Sequence, residues 1–128
     1  MIVFHNGPQA NHLASAGLGM AAARLDNHAG AVAAFRQAVD RAQALIDTTA
    51  EYYEAWYTLG LARTGLAALH EATPEGALAA YRRAVELAPH QGILDKQRRQ
   101  LDELGNAPGV DAAVIAAARA VLAGDQSG

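Results

Sequence analysis

The sequence predicts an all-α fold of about six helices in a dense helical stack. Three observations predict it. Apolar residues make up 52% of the chain, and much of that is alanine, the strongest helix former. β-branched residues never gather into the alternating pattern of a strand. Breaking and capping clusters recur at helix-length intervals, at Asp26-Asn27, Asp47-Thr48-Thr49, Thr73-Pro74, Pro89 and Gly105-Asn106.

The elements follow from these breaks. A first helix is expected over 8–25, where Pro8 suits the first turn because its missing N–H costs nothing there. A second covers 28–46, and Asp47-Thr48-Thr49 then offers capping oxygens. A third covers 50–71. It contains Gly60 and Gly65, each of which weakens a helix by about 1 kcal/mol against alanine, so a neighbour should pack closely there. Thr73-Pro74-Glu75 starts the fourth helix, over 74–87: threonine caps, proline takes the first turn and glutamate faces the positive end of the dipole. The fifth covers 91–104, with Ile93, Leu94, Gln97, Leu101 and Leu104 along one stripe. The sixth covers 110–122, capped near Asp111, and 124–128 read as a frayed tail.

The bulk numbers narrow the function. A chain of 128 residues fits one domain, 1–128, that folds without staples. The absence of cysteine excludes disulfides, thiolate nucleophiles and cysteine-ligated metals, and fits a reducing compartment. A net charge of −3 with 18% charged residues is not the footprint of a nucleic-acid binder. No apolar run is long enough to span a membrane. Met1-Ile2-Val3-Phe4-His5 lacks the basic and long apolar regions of a secretory leader, so a cytoplasmic location is expected.

Two copies of one pattern run through the first two-thirds of the chain. Trp56, Leu59 and Gly60 are followed by Ala77, Tyr81, Ala84 and Pro89. Earlier, Leu18-Gly19 is followed by Ala31, Phe35 and Ala38, with Ser15 in place of the tryptophan and Gln43 in place of the proline. The spacings resemble those of the tetratricopeptide repeat family. The resemblance covers 11–89 and implies a right-handed α-solenoid of stacked antiparallel helix-turn-helix hairpins: a first hairpin over 8–46, a second over 50–89, and cap helices or a degenerate third hairpin over 91–123. It implies that Gly19 and Gly60 lie where helices cross, that Phe35 and Tyr81 fill the space between repeats, and that Trp56 supplies most of one packing layer. The intervals are irregular: 12 residues separate Gly19 from Ala31 but 17 separate Gly60 from Ala77, and the copies stand 41 apart against a usual period of about 34.

Candidate chemistry is sparse. His5, His12, His28, His70 and His90 form no metal-ligand spacing and read as surface or helix-end groups. Glu51 and Glu54 share a face without a companion nucleophile or base. Ser15, Thr58 and Thr64 show no nucleophile elbow, and the glycines make no phosphate loop. Arg82, Arg83, Lys96, Arg98 and Arg99 form the most basic stretch, balanced by Glu86, Asp95 and Asp102. No catalytic residue, metal site or cofactor is expected, and the chain is not read as an enzyme.

In the family the first helix of each hairpin lines a concave surface that receives a peptide or helix of a partner protein. Placed on this sequence, the resemblance implies a groove formed by Leu13, Met20, Arg24, Glu54, Tyr57, Thr58, Leu61 and Lys96, with Tyr57 as its rigid anchor. Ala16 and Met20 stand where chaperone-binding relatives clamp a carboxylate, so the expected ligand is apolar. A protein-interaction module or adaptor is the leading expectation. The alternative is a self-associating structural or regulatory subunit, a homodimer for example, because the first and sixth helices are nearly uncharged and want burial on most sides. Neither a nucleic-acid nor a membrane partner is expected.

Overall fold

Two helices in this chain begin at a side-chain cap, and two others end at a left-handed residue. The computed structural model describes residues 7–124, with side chains from residue 12 onward. The expectations for Met1–His5 and for the last four residues lie outside them. In order come α1 (Gly7–Arg24), α2 (His28–Thr48), α3 (Tyr53–Ala68), α4 (Glu75–Leu87), α5 (Gln91–Gly105) and α6 (Ala112–Leu122), and no strand occurs among the described residues. The Asn27 side chain accepts from the Gly30 N–H at the start of α2, and Asp111 accepts from the Ala113 N–H at the start of α6. α1 and α3 stop in the same way. Asp26 (φ 60°) and His70 (φ 68°) are left-handed, and the next N–H reaches back to Ala22 in one case and Leu66 in the other, both at 2.8 Å.

Two expected caps are not used. Thr48 extends α2 and donates to the Ala44 carbonyl, so it cannot cap α3. Residues 50–52 form a turn instead, held by the Trp56 Nε1–H on the Ala50 carbonyl at 2.7 Å. Trp56 is half-buried: it staples this turn and also packs against both apolar clusters of the core. At α4, Pro74 occupies the capping position and no side chain caps the helix.

The first four helices pack each on the next, and α1 also packs on α3. Glycine and aromatic side chains set the spacing. A Cβ on Gly19 would lie 2.6 Å from the Phe35 ring, one on Gly65 2.5 Å from the same ring, and one on Gly60 2.8 Å from Tyr81. Phe35 is thus held between a glycine of its own hairpin and a glycine of the next, and both rings are fully buried. Ser15, in the place of the pattern's tryptophan, is buried and polar. It is satisfied from α2, accepting from Arg41 at 2.8 Å and donating to Gln37 at 3.0 Å.

The last two helices do not continue this stack. They pack on each other, but α6 lies against α3 and α4 while α5 reaches α1 and α3, and the backbones of α4 and α5 do not approach closely. Two contacts fix this: the Asp111 N–H donates to the Ala68 carbonyl at 3.0 Å, and Arg119 of α6 pairs with Asp102 of α5. α6 buries Ile115, Ala118, Val121 and Leu122, so its apolar surface is accounted for within the chain. The apolar surface at α1 is not, because Leu18 is 62% exposed and Leu25, in the turn directly after the helix, is 81% exposed.

Candidate binding groove

α5 crosses the inner side of the two hairpins, and a cavity of about 300 Å³ lies where α1, α3 and α5 meet. Each helix contributes one stripe at the three- and four-residue spacing that shares a helix face. α1 gives Leu13, Ala16, Gly17 and Met20; α3 gives Tyr53, Glu54, Tyr57, Thr58 and Leu61; α5 gives Ile93, Lys96, Gln97 and Gln100. The space exists because α1 carries Ala16 and Gly17 at the register where α3 carries Tyr57 and Thr58. The volume is at the small end of ligand pockets, enough for a few side chains rather than a whole helix.

The floor is apolar and rigid. Tyr57 is 2% exposed, and its hydroxyl donates to the Ala88 carbonyl at 2.7 Å. Its ring lies edge-on to Tyr53, with centroids 6.4 Å apart. Burial, and secondarily Tyr53, raise its phenol pKa above the usual tyrosine value. Thr58 bonds the buried His12 ring across α1 and α3 at 2.9 Å. The lip is polar: Glu54 and Lys96 are exposed, and Glu54 accepts from the Tyr52 hydroxyl at 3.1 Å.

Of the residues expected in the groove, Leu13, Met20, Glu54, Tyr57, Thr58, Leu61 and Lys96 line this one cavity. Arg24 does not. The cavity ends at Met20, one turn earlier, and Arg24 is exposed at the end of α1. Tyr57 and Leu61 are too buried to serve as free anchors, so they form the floor. His12 is buried, not at the surface, because it faces α3 rather than solvent. The sequence reading missed Tyr53, Ile93 and Gln97 as wall residues. Their signal was present, since Ile93 and Gln97 flank Lys96 on the same stripe of α5.

The remaining candidates do not converge. Glu51 lies in the turn before α3, apart from the helix that carries Glu54. Arg83 pairs with Glu86, and Arg98 pairs with Asp95. The neighbouring Gln91 amide, together with Arg98 and Arg99, holds the Asp95 carboxyl below its usual pKa. Among the described residues no group of three or more acidic or histidine side chains is placed to hold a metal, and no helix is long and apolar enough to cross a membrane. Neither a family model, nor a curated protein, nor a solved structure matches this chain.

Proposed function

We propose that this chain is a protein-interaction module of the stacked-hairpin kind, receiving an apolar segment of a partner protein in the cavity between α1, α3 and α5. The observation that carries the reading is the convergence of three helix stripes on one apolar-floored, polar-lipped concavity whose walls are fixed by the core. Tyr57, Leu61 and Met20 are immobilised by packing, so a ligand would meet a pre-organised surface. The cavity accepts one or two apolar side chains from a short peptide or the exposed face of a helix. Glu54 and Lys96 then meet polar groups of that segment at the lip. The repeat resemblance supports the same reading, because it assigns the inner face to α1 and α3.

The test must spare the floor, whose loss would unfold the chain. Leu13 is 49% exposed and Lys96 is exposed, so Leu13→Glu and Lys96→Glu should both fold. Proteins captured by the native chain from source-cell lysate are compared with those captured by each variant, after circular dichroism confirms helicity. A partner retained by the native chain and lost by Leu13→Glu is the expected outcome. Partners that bind native chain and both variants alike would place recognition elsewhere.

A further inference from the structure

α1 and α3 carry the same residues at the same register. With Gly19 set against Gly60, Ala14, Leu18, Ala21 and Leu25 match Ala55, Leu59, Ala62 and Leu66, identical at each position. In α3 this stripe is covered. Ala55 is 0%, Leu59 1%, Ala62 0% and Leu66 8% exposed, and Ala55 and Leu59 share a cluster with Ala42 and Ile46 of α2. In α1 the same stripe is open at Ala14 and Leu18 and half-open at Ala21, and Leu25, in the turn directly after the helix, is open as well. No charged residue interrupts α1 between His12 and Arg24.

The covered copy says what the open one fits. α2 runs antiparallel to α3, with Phe35 at Gly65 and Ile46 beside Ala55. Read backward, the α2 stripe is Ile46, Ala42, Val39 and Phe35, in steps of four, three and four. Read backward, α1 gives Leu25, Ala21, Leu18 and Ala14 in the same steps. α1 and the turn after it thus carry the residues of the α3 stripe and, in reverse, a stripe that matches α2's in spacing and in its first three side-chain sizes, with Ala14 in the place of Phe35.

From this we infer that a second copy of the chain covers α1, the two α1 helices lying antiparallel about a two-fold axis near Gly19 and Met20. In that register Leu18 meets Ala21 of the partner subunit and Leu25 meets Ala14 of the partner subunit. Every leucine faces an alanine, so large and small side chains interdigitate across a self-complementary contact. A head-to-tail stack of copies is disfavoured. Among the described residues the exposed large apolar side chains are Leu13, Leu18, Leu25 and Tyr53, and none lies on α4, α5 or α6. The contact uses a different side of α1 from the groove and does not rest on the groove's function.

Sedimentation equilibrium on the full chain tests the association. The expected result is a reversible monomer–dimer equilibrium that Leu18→Glu weakens by about a hundredfold or more, because each dimer loses two buried leucines, one from each copy. Leu25→Glu should act in the same direction, and Lys96→Glu on the groove lip should change nothing. These side chains are exposed, so helicity should be retained in each variant. The absence of native cysteine allows a register test. When Leu18→Cys and Ala21→Cys chains are mixed and oxidised, the mixed cross-link should outrun both homodimeric ones. A chain that stays monomeric to millimolar concentration overturns the proposal and leaves the α1 face to a helix of another protein. A dimer indifferent to Leu18→Glu, or a Leu18→Cys chain that cross-links fastest to itself, also overturns it.

Discussion

Substituting alanine at Gly65 sets two effects of opposite sign against each other, and the structure says which wins. Alanine in a helix interior is favoured over glycine by about 1 kcal/mol. At Gly65, however, the new Cβ would lie 2.5 Å from a Phe35 ring carbon. The ring cannot retreat, because Gly19 of α1 approaches it with a built Cβ distance of 2.6 Å. Overpacking of this kind costs about 1–3 kcal/mol. The ring is pinned by two helices, so the upper part of that range applies and the net loss is about 1–2 kcal/mol. Gly17 provides the control in the same fold. Nothing lies within 4 Å of its built Cβ, so Gly17→Ala should stabilise by up to about 1 kcal/mol. Urea unfolding followed by circular dichroism reads both. Combining Gly65→Ala with Phe35→Leu should give a loss smaller than the sum of the two single losses, since the leucine vacates the space the methyl needs. If Gly65→Ala proves as stabilising as Gly17→Ala, the close approach does not explain the glycine, and the account of the hairpin spacing fails with it.

Other expectations follow from single contacts. Asp111→Ala removes the cap of α6 and should cost about 1 kcal/mol, with hydrogen exchange accelerating first at the start of that helix. Tyr57→Phe leaves the buried Ala88 carbonyl unpaired and should cost about 1–3 kcal/mol, read as a lower urea midpoint. His70→Gly relieves a left-handed backbone (φ 68°) at an exposed position and should raise Tm, with the gain of about 1 kcal/mol partly offset by the glycine's own entropy. Burial raises the Tyr81 phenol well above its ordinary value of 10.0, with Thr64 acting in the opposite sense. The folded chain therefore holds this proton more tightly than the unfolded one. Its contribution is full below pH 10 and is lost progressively as pH rises above that. Tyr81→Phe should shift alkaline unfolding upward, and an unchanged midpoint would show that the Tyr81 proton is not what limits it.

What the sequence made legible came from helical periodicity and from the repeat resemblance. Gly19, Gly60 and Gly65 announce close approaches because glycine in a helix interior is unfavourable without one. Their partners Phe35 and Tyr81 were found through fixed spacing. The groove residues of α1 and α3 were placed by the repeat resemblance, which gives the inner face to the first helix of each hairpin. Arg24 shares that face but not the cavity. Where the cavity ends depends on the path of α5, and that path is set by tertiary contacts such as Asp111 with Ala68 and Arg119 with Asp102. The burial of Tyr57 and His12 was hidden for a related reason. Each makes its hydrogen bond to a residue distant in sequence, Ala88 in one case and Thr58 in the other, and no local pattern announces such a bond.

The placement of α5 and α6 ties the groove to the chain's two apolar ends. A third hairpin in regular order would have set α5 against α4 and left the inner face open along its length. Instead α6 takes the place beside α4 and buries its Ile115, Val121 and Leu122 there, while α5 swings across α1 and α3. One end of the stack is thereby sealed, and the inner face becomes a bounded cavity with fixed walls. The same closure is not available at the other end, because no described helix packs on the outer face of α1 and its Leu18 and Leu25 remain in solvent. The repeat of one apolar stripe in α1 and α3 thus has two outcomes in one chain. The copy on α3 is core, and the copy on α1 is, among the described residues, an exposed apolar face of the size and spacing that a second helix covers.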